Sequence, residues 1–124
     1  MIYGVGIDIL EVSRLETLRG RYDDPFFTKT YTGAERAAAM ERADPIVWFA
    51  GRFAVKEAVF KALGVSSAAF RWSDIETLND AAGRPYVVLR GEAKRAADEA
   101  GVRRVFVSLS NDGGFVAAFA VAEI

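Results

Sequence analysis

The 124-residue sequence contains no cysteine and no histidine, and only three prolines. Without thiols there is neither a disulfide framework nor a thiol nucleophile, and thiolate zinc sites are excluded. Without imidazole, Ser-His-Asp and Cys-His catalysis cannot be assembled within the chain, and any metal must be held by oxygens, which favours magnesium, calcium or manganese. Acid-base chemistry is left to Asp, Glu, Lys, Tyr or bound water. An excess of one charge sign is missing too: a formal net charge of −1 leaves no global nucleic-acid footprint, so any basic surface is local. No apolar run approaches the roughly 20 residues needed to span a bilayer, and Met1 leads into a strand pattern without a signal peptide. The expectation is a cytoplasmic protein whose residues 1–124 form a single domain.

What is present is organised around residues 44–64. Asp44 suits an N-cap, Pro45 the first helical position, and Gly64 the left-handed residue after the last turn, so the stretch predicts one long helix. Projected at about 100° per residue, Ile46, Phe49, Ala50, Phe53, Ala54, Phe60 and Leu63 fall on one face. Lys56, Glu57 and Lys61 project from within or beside that arc. A carboxylate in such a setting loses hydration, which costs several kcal/mol unless a cation or hydrogen bonds replace the water. Glu57 therefore needs a partner. One reading is an internal ion pair with Lys61 or Lys56; the other is a metal ligand at the edge of a phosphate site, with Lys61 facing the same anion.

Ile2 to Ile9 alternates as a strand, with Tyr3, Val5, Ile7 and Ile9 on one face and Ile2, Gly4, Gly6 and Asp8 on the other. Two glycines inside a strand beside an aspartate suggest that a helix, backbone or ligand approaches closely. The alternative is that the glycines clear space for a helix and Asp8 ends the strand near solvent. Ser13 and Glu16 have capping-box spacing and predict a helix to Tyr22, on which Arg14 and Arg21 share a flank beside Leu18. Such a flank is either a solvated face or a docking surface for an acidic partner.

Asp24-Pro25 opens a helical turn that buries part of Phe26, Phe27 and Tyr31, and Thr32 with Glu35 forms a second capping box opening a helix to about Arg42. After a loop at residues 65–69, strands are expected at residues 72–78 and 86–89, then a helix over residues 91–100 ended by Gly101. Residues 105–110 and 115–123 read as strands joined by Asn-Asp-Gly-Gly, a hairpin signal, with Ala118, Ala120 and Ala122 forming a small face that admits a helix. The order β-α-α-α-β-β-α-β-β indicates an α+β fold with helices packed on a largely antiparallel sheet.

Taken together, Gly6-Ile7-Asp8-Ile9 with Arg14 downstream, and Phe53-Ala54-Val55-Lys56-Glu57-Ala58 running on to Lys61-Ala62-Leu63-Gly64, resemble the holo-acyl-carrier-protein synthase family of 4'-phosphopantetheinyl transferases. The resemblance continues through Phe27, Thr32-x-x-Glu35, Trp72-x-Asp74-Ile75-Glu76, Gly83-x-Pro85, Ser108-x-Ser110 and the closing Ala-x-Ala-x-Ala-Glu, so it covers nearly the whole chain in order.

The resemblance implies transfer of 4'-phosphopantetheine from coenzyme A to a serine of apo acyl carrier protein, in fatty acid or polyketide biosynthesis, releasing 3',5'-ADP. It also implies magnesium on the pyrophosphate and a homotrimer with sites between subunits. By motif, Asp8 and Glu57 hold the metal, and Glu57, Lys61 and Asp8 form the catalytic group. Arg52, Lys61, Gly64, Ser110 and Asn111 meet coenzyme A, and Arg14 and Arg21 meet the acidic carrier protein. A magnesium ion takes one or two carboxylates plus substrate phosphate, so this pair suffices. The proton of the attacking serine must go to Glu57 or to a metal-bound hydroxide. One departure stands out: Asn111 follows Ser110 where the family usually has histidine, and asparagine donates a hydrogen bond but carries no charge. It motivates the alternative reading, a coenzyme-A- or carrier-protein-binding module with weakened turnover.

Overall fold

The computed structural model describes all residues 1–124. Strand β1 (Ile2–Glu11) is followed by a 3₁₀ segment (Val12–Leu18), then helices α1 (Pro25–Thr30), α2 (Gly33–Met40) and α3 (Pro45–Leu63). A 3₁₀ turn (Trp72–Asp74) leads into β2 (Ile75–Asn79) and β3 (Pro85–Leu89), then α4 (Gly91–Ala100), β4 (Arg104–Asp112) and β5 (Phe115–Glu123). The fold is α+β, as expected.

The strands form two antiparallel sheets, not one: a three-stranded sheet in the order β1-β5-β4 and a two-stranded β2-β3 ribbon. Strands β3 and β4 run beside one another without a ladder, leaving a groove of about 830 Å³ lined by Arg52, Asn79, Arg84, Arg103 and Arg104 among others. The expected strand at residue 72 begins only at Ile75, because the Asp74 carboxylate accepts from the Arg71 N–H at 3.3 Å and folds residues 72–74 into a turn.

Helix α3 is the centre of the structure. Its left-handed stop at Gly64 (φ 65°) and its proline start are as the sequence predicts, but Asp44 makes no side-chain cap bond. The carboxylate instead accepts from Arg19 Nη1 at 2.7 Å. The helix is also buried on nearly every side: Trp48, Val55, Ala58, Val59 and Ala62 lie inside together with Ile46, Phe49, Ala50, Ala54 and Leu63. A helix hydrophobic all round is covered all round.

The close approach is to β1. A Cβ at Gly6 would lie 1.9 Å from the carbonyl oxygen of Ala58, and one at Gly4 would lie 2.3 Å from that of Ala62. Ala118, Ala120 and Ala122 of β5 are all buried on the same side of the sheet. Glycine on β1 and alanine on β5 thus let α3 lie almost on the backbone of the sheet, which fixes the helix against Asp8.

The other side of that sheet is bare. Register pairs Ile7 with Phe119 and Phe119 with Ser108, and Val5 with Val121 and Val121 with Phe106. Tyr3, Val5, Ile7, Ile9, Phe106, Phe115 and Phe119 are all exposed there. No helix of the structure is long and apolar enough to cross a membrane.

Candidate active site

Asp8 emerges from β1 on the side facing α3, and Glu57 and Lys61 lie one turn apart on that helix. Lys61 Nζ stands 3.6 Å from Asp8 Oδ1 and donates to the Ile7 carbonyl oxygen at 2.9 Å. Burial first, and the neighbouring Asp8 carboxylate second, push the Glu57 carboxyl above its ordinary value, while Lys61 and Arg14 oppose the shift. Asp8, Glu57 and Arg14 share the wall of a cavity of about 250 Å³ with Leu10, Leu15, Phe26 and Phe53. The two carboxylates therefore converge and repel in a half-apolar recess.

That arrangement fits a divalent cation on an oxygen-only donor set. Two repelling carboxylates gain from a shared cation, and a third protein ligand is not needed when substrate oxygens and water complete an octahedron. No group of three or more Asp, Glu, His or Cys residues is clustered to hold a metal anywhere in the chain.

The internal ion pair considered for Glu57 forms elsewhere. Lys56 Nζ donates to Glu35 Oε1 at 2.8 Å, with both side chains fully buried. Glu57 has no salt bridge of its own, and Lys61 pairs with Asp8 instead. The reason is geometric: adjacent helical residues point about 100° apart, so Lys56 faces α2 and β2 while Glu57 faces β1.

Arg52, one turn before Lys56, lines a second cavity of about 530 Å³ with Arg42, Asp44, Trp48, Gly51, Leu109, Ser110, Asn111 and Val116. Its side chain is 5% exposed, its Nη2 donates to Asn79 Oδ1 at 2.6 Å, and its guanidinium carbon stands 4.7 Å from the Trp48 ring centre. Yet Nε and Nη1 of Arg52 and Nε1 of Trp48 are buried without any partner. Burial, with a smaller push from Arg42, brings the Arg52 pKa down to about 10, so it stays charged at neutral pH. A buried guanidinium with two idle donors is a feature that an anion would complete.

Ser110 and Asn111 line the Arg52 cavity from β4, which runs on to Asp112 and so takes in Asn111, expected in the turn. Gly64 does not join them: it closes the far end of α3, beside a shallow recess of about 270 Å³ shared with Ser66, Ser67 and Arg95. Twelve residues of helix separate Arg52 from Gly64, about 18 Å at 1.5 Å per residue. Within one chain the expected coenzyme A residues thus fall into two groups, one beside the middle of α3 and one at its C-terminal end.

The expected helix over residues 13–22 is a 3₁₀ segment that stops at Leu18, and Ser13 makes no capping bond. The seven-residue spacing that places Arg14 and Arg21 on one α-helical flank therefore does not apply, since a 3₁₀ helix has three residues per turn. Arg14 stands at the Asp8–Glu57 recess, while Arg21 lies beyond the segment, 3.9 Å from Asp24. Arg19, not singled out by the sequence, takes the ion pairs there, with Glu16 at 2.6 Å and Asp44 at 2.7 Å. Asn79, Arg42 and Trp48 also escaped the sequence reading, because nothing local marks them as neighbours of Arg52.

Residues 4–120 match the family described as the 4'-phosphopantetheinyl transferase superfamily, and the chain belongs to that family. It is 37% identical over 123 residues to a holo-acyl-carrier-protein synthase of Halothermothrix orenii, covering 99% of this chain and 98% of that one. Its fold matches the crystal structure of holo-acyl-carrier-protein synthase from Neisseria meningitidis with a TM-score of 0.88, at 33% identity and covering 100% of both chains. A synthase from Bacillus anthracis, solved in complex with CoA (3',5'-ADP), matches with a TM-score of 0.78 at 32% identity, covering 98% of this chain and 96% of that one.

Proposed function

We infer that this protein transfers 4'-phosphopantetheine from coenzyme A to a serine of apo acyl carrier protein, releasing 3',5'-ADP, and that residues 1–124 act as one transferase domain. The observation that carries the reading is that one helix of a family member bears both Glu57, which meets the Asp8 carboxylate of β1, and a buried arginine, Arg52, whose Nε and Nη1 have no partner. Attack on a pyrophosphate needs charge neutralised on the phosphoryl oxygens and the leaving group. Asp8 and Glu57 are the residues that would hold a magnesium ion, which when bound supplies Lewis-acid stabilisation of that charge.

The protein's own residues do the rest. Lys61, exposed at its tip and tethered to the Ile7 carbonyl oxygen and Asp8, reaches the phosphate oxygens. Glu57, in the wall of the recess beside Arg14, is placed to receive the serine proton. Arg52 uses its idle donors on a coenzyme A phosphate, with Ser110 and Asn111 lending neutral hydrogen bonds from the cavity wall. Gly64 keeps the backbone at the end of α3 open to substrate. Arg14 beside the recess and Arg21 on the following turn meet the acidic carrier protein.

The bare sheet face supports a homotrimer with sites between subunits. Exposed apolar side chains on three neighbouring strands form a patch of the kind that marks a protein interface. Separation of the coenzyme A residues along α3 also favours a site completed by a second chain. The cellular setting that fits this chemistry is the cytoplasm. The test is intact mass spectrometry of apo acyl carrier protein incubated with this protein, coenzyme A and magnesium. A gain of one phosphopantetheine is expected; no gain alongside measurable coenzyme A binding would instead favour a binding module, for which Asn111 is the motivating residue.

A further inference from the structure

Glu35 and Lys56 form a closed polar knot where α2, α3 and β2 meet. Lys56 Nζ donates to Glu35 Oε1 at 2.8 Å, to the Ile75 carbonyl oxygen at 2.5 Å and to the Trp72 carbonyl oxygen at 3.2 Å, which uses all three ammonium hydrogens. Glu35 Oε1 also accepts from the Thr32 N–H at 2.9 Å, and Oε2 accepts from the Thr77 N–H at 2.9 Å and the Thr77 hydroxyl at 3.1 Å. Neither side chain is exposed at all, so nothing in this knot is left for a ligand.

Such a pair is a poor device for stability alone, because well-packed apolar residues of similar volume often do as well or better. What it supplies is direction. An apolar face lets a helix rotate or slide slightly, whereas three hydrogen bonds from one ammonium fix both rotation and axial height. Residues either side of Lys56 are those that need fixing. Arg52, four residues earlier and about 40° away around the helix, leans on Asn79 of the same β2 strand that anchors Lys56. Glu57, about 100° around, faces Asp8 across the glycine-lined contact with β1.

We propose that Lys56 and Glu35 are positioning residues: their buried pair locks α3 so that Arg52 keeps its place in the cavity wall while Glu57 stands beside Asp8. The proposal rests on the transferase reading given above and adds to it a part that touches no substrate.

The test replaces the charges by neutral groups of similar length in Glu35→Gln/Lys56→Met. At a temperature where the variant is folded by circular dichroism, coenzyme A affinity and kcat both fall, and kcat/KM drops by about 10²-fold, the scale of a 1 Å misplacement far from the chemistry. A folded variant that melts at a different temperature but keeps wild-type KM and kcat overturns the proposal, since a purely structural pair would behave so. Should the double variant not fold, Thr77→Val decides, removing one bond to Glu35: a raised KM for coenzyme A in folded protein supports positioning, and an unchanged KM and kcat overturns it.

A ligand-free readout separates this idea from the transferase reading. The chain has two tryptophans. In a Trp72→Phe background Trp48 alone reports the stacked Arg52. Emission shifted by Glu35→Gln/Lys56→Met supports positioning even if the wild type binds no coenzyme A, an outcome that would defeat the transferase reading alone. Unshifted emission overturns the proposal.

Discussion

Lys56 and Arg52 are both buried cations, one turn apart on the same flank of α3, and their surroundings are opposite. Lys56 has every donor engaged and no exposure, whereas Arg52 keeps two buried nitrogens without a partner. Leaving such donors dry costs free energy that folding alone does not return. The difference separates scaffold from site. At Lys56 the chain supplies every counter-group and the buried charge holds elements together; at Arg52 it leaves two nitrogens without one. The same contrast divides Glu35, with four hydrogen bonds, from Glu57, which faces another carboxylate.

The largest effect is expected at the open carboxylates. Asp8→Ala and Glu57→Ala each lower magnesium-dependent turnover by about 10³-fold or more, the several kcal/mol that charge neutralisation on a phosphoryl group supplies. Circular dichroism and melting should show both variants folded, because neither residue sits in the closed knot. Wild-type rate at limiting magnesium in either variant would remove these residues from the site.

Stability should respond in the reverse pattern. Lys56→Ala leaves Glu35 buried without its cation and is expected to cost about 3–5 kcal/mol in denaturant unfolding. If Lys56→Ala unfolded no more easily than wild type, the knot would not be the scaffold.

A smaller, pH-dependent effect sharpens the comparison at Glu57. Burial and Asp8 raise its carboxyl in the folded state above the ordinary 4.5. The folded state therefore binds more protons than the unfolded one between 4.5 and that raised value, and apoprotein stability from this group falls as pH rises through the window. Glu57→Gln removes the effect. The variant should melt above wild-type apoprotein at neutral pH, with the two converging below the window; a gap that persists at low pH would point to some other cause.

The smallest effect belongs to the surface. Exposed charge pairs contribute only about 0.2–1 kcal/mol each and are screened by salt. Reversing Arg14 and Arg21 to Glu is expected to raise the apparent KM for carrier protein and to abolish the salt dependence of the rate, with coenzyme A affinity little changed. Since the two side chains do not share one helical flank, single reversals should differ, with Arg14 beside the recess the more sensitive. Equal, negligible effects would return both to the solvated surface.

Much of the scaffold was legible because its signals are local. The Thr32–Glu35 capping box forms with both reciprocal bonds, Gly64 stops α3, and the glycines of β1 clear the way for that helix. The 3₁₀ segment was not legible, since the Ser13–Glu16 spacing is equally that of a helix start and only tertiary packing of Leu15 and Leu18 decides. Two sheets in place of one follow from a missing ladder between β3 and β4, which no pattern within either strand encodes. At the site, the sequence singled out Glu57 and Lys61 by their place beside an apolar helical arc, Asp8 by its neighbouring strand glycines and Arg52 through motif resemblance, but the partners that define each were out of reach. Glu35 lies 21 residues from Lys56 and Asn79 lies 27 from Arg52, so only the folded chain shows which charge is closed and which is open.

The central claim, that Arg52 is an open cation kept for a phosphate, is tested most directly by titrating coenzyme A calorimetrically into wild type and Arg52→Met. The account predicts that Arg52→Met, relieved of idle buried donors, melts no lower than wild type yet binds coenzyme A at least about tenfold more weakly, matching about 1.5–3 kcal/mol for a charged hydrogen bond. Equal coenzyme A affinity in the two proteins would contradict it.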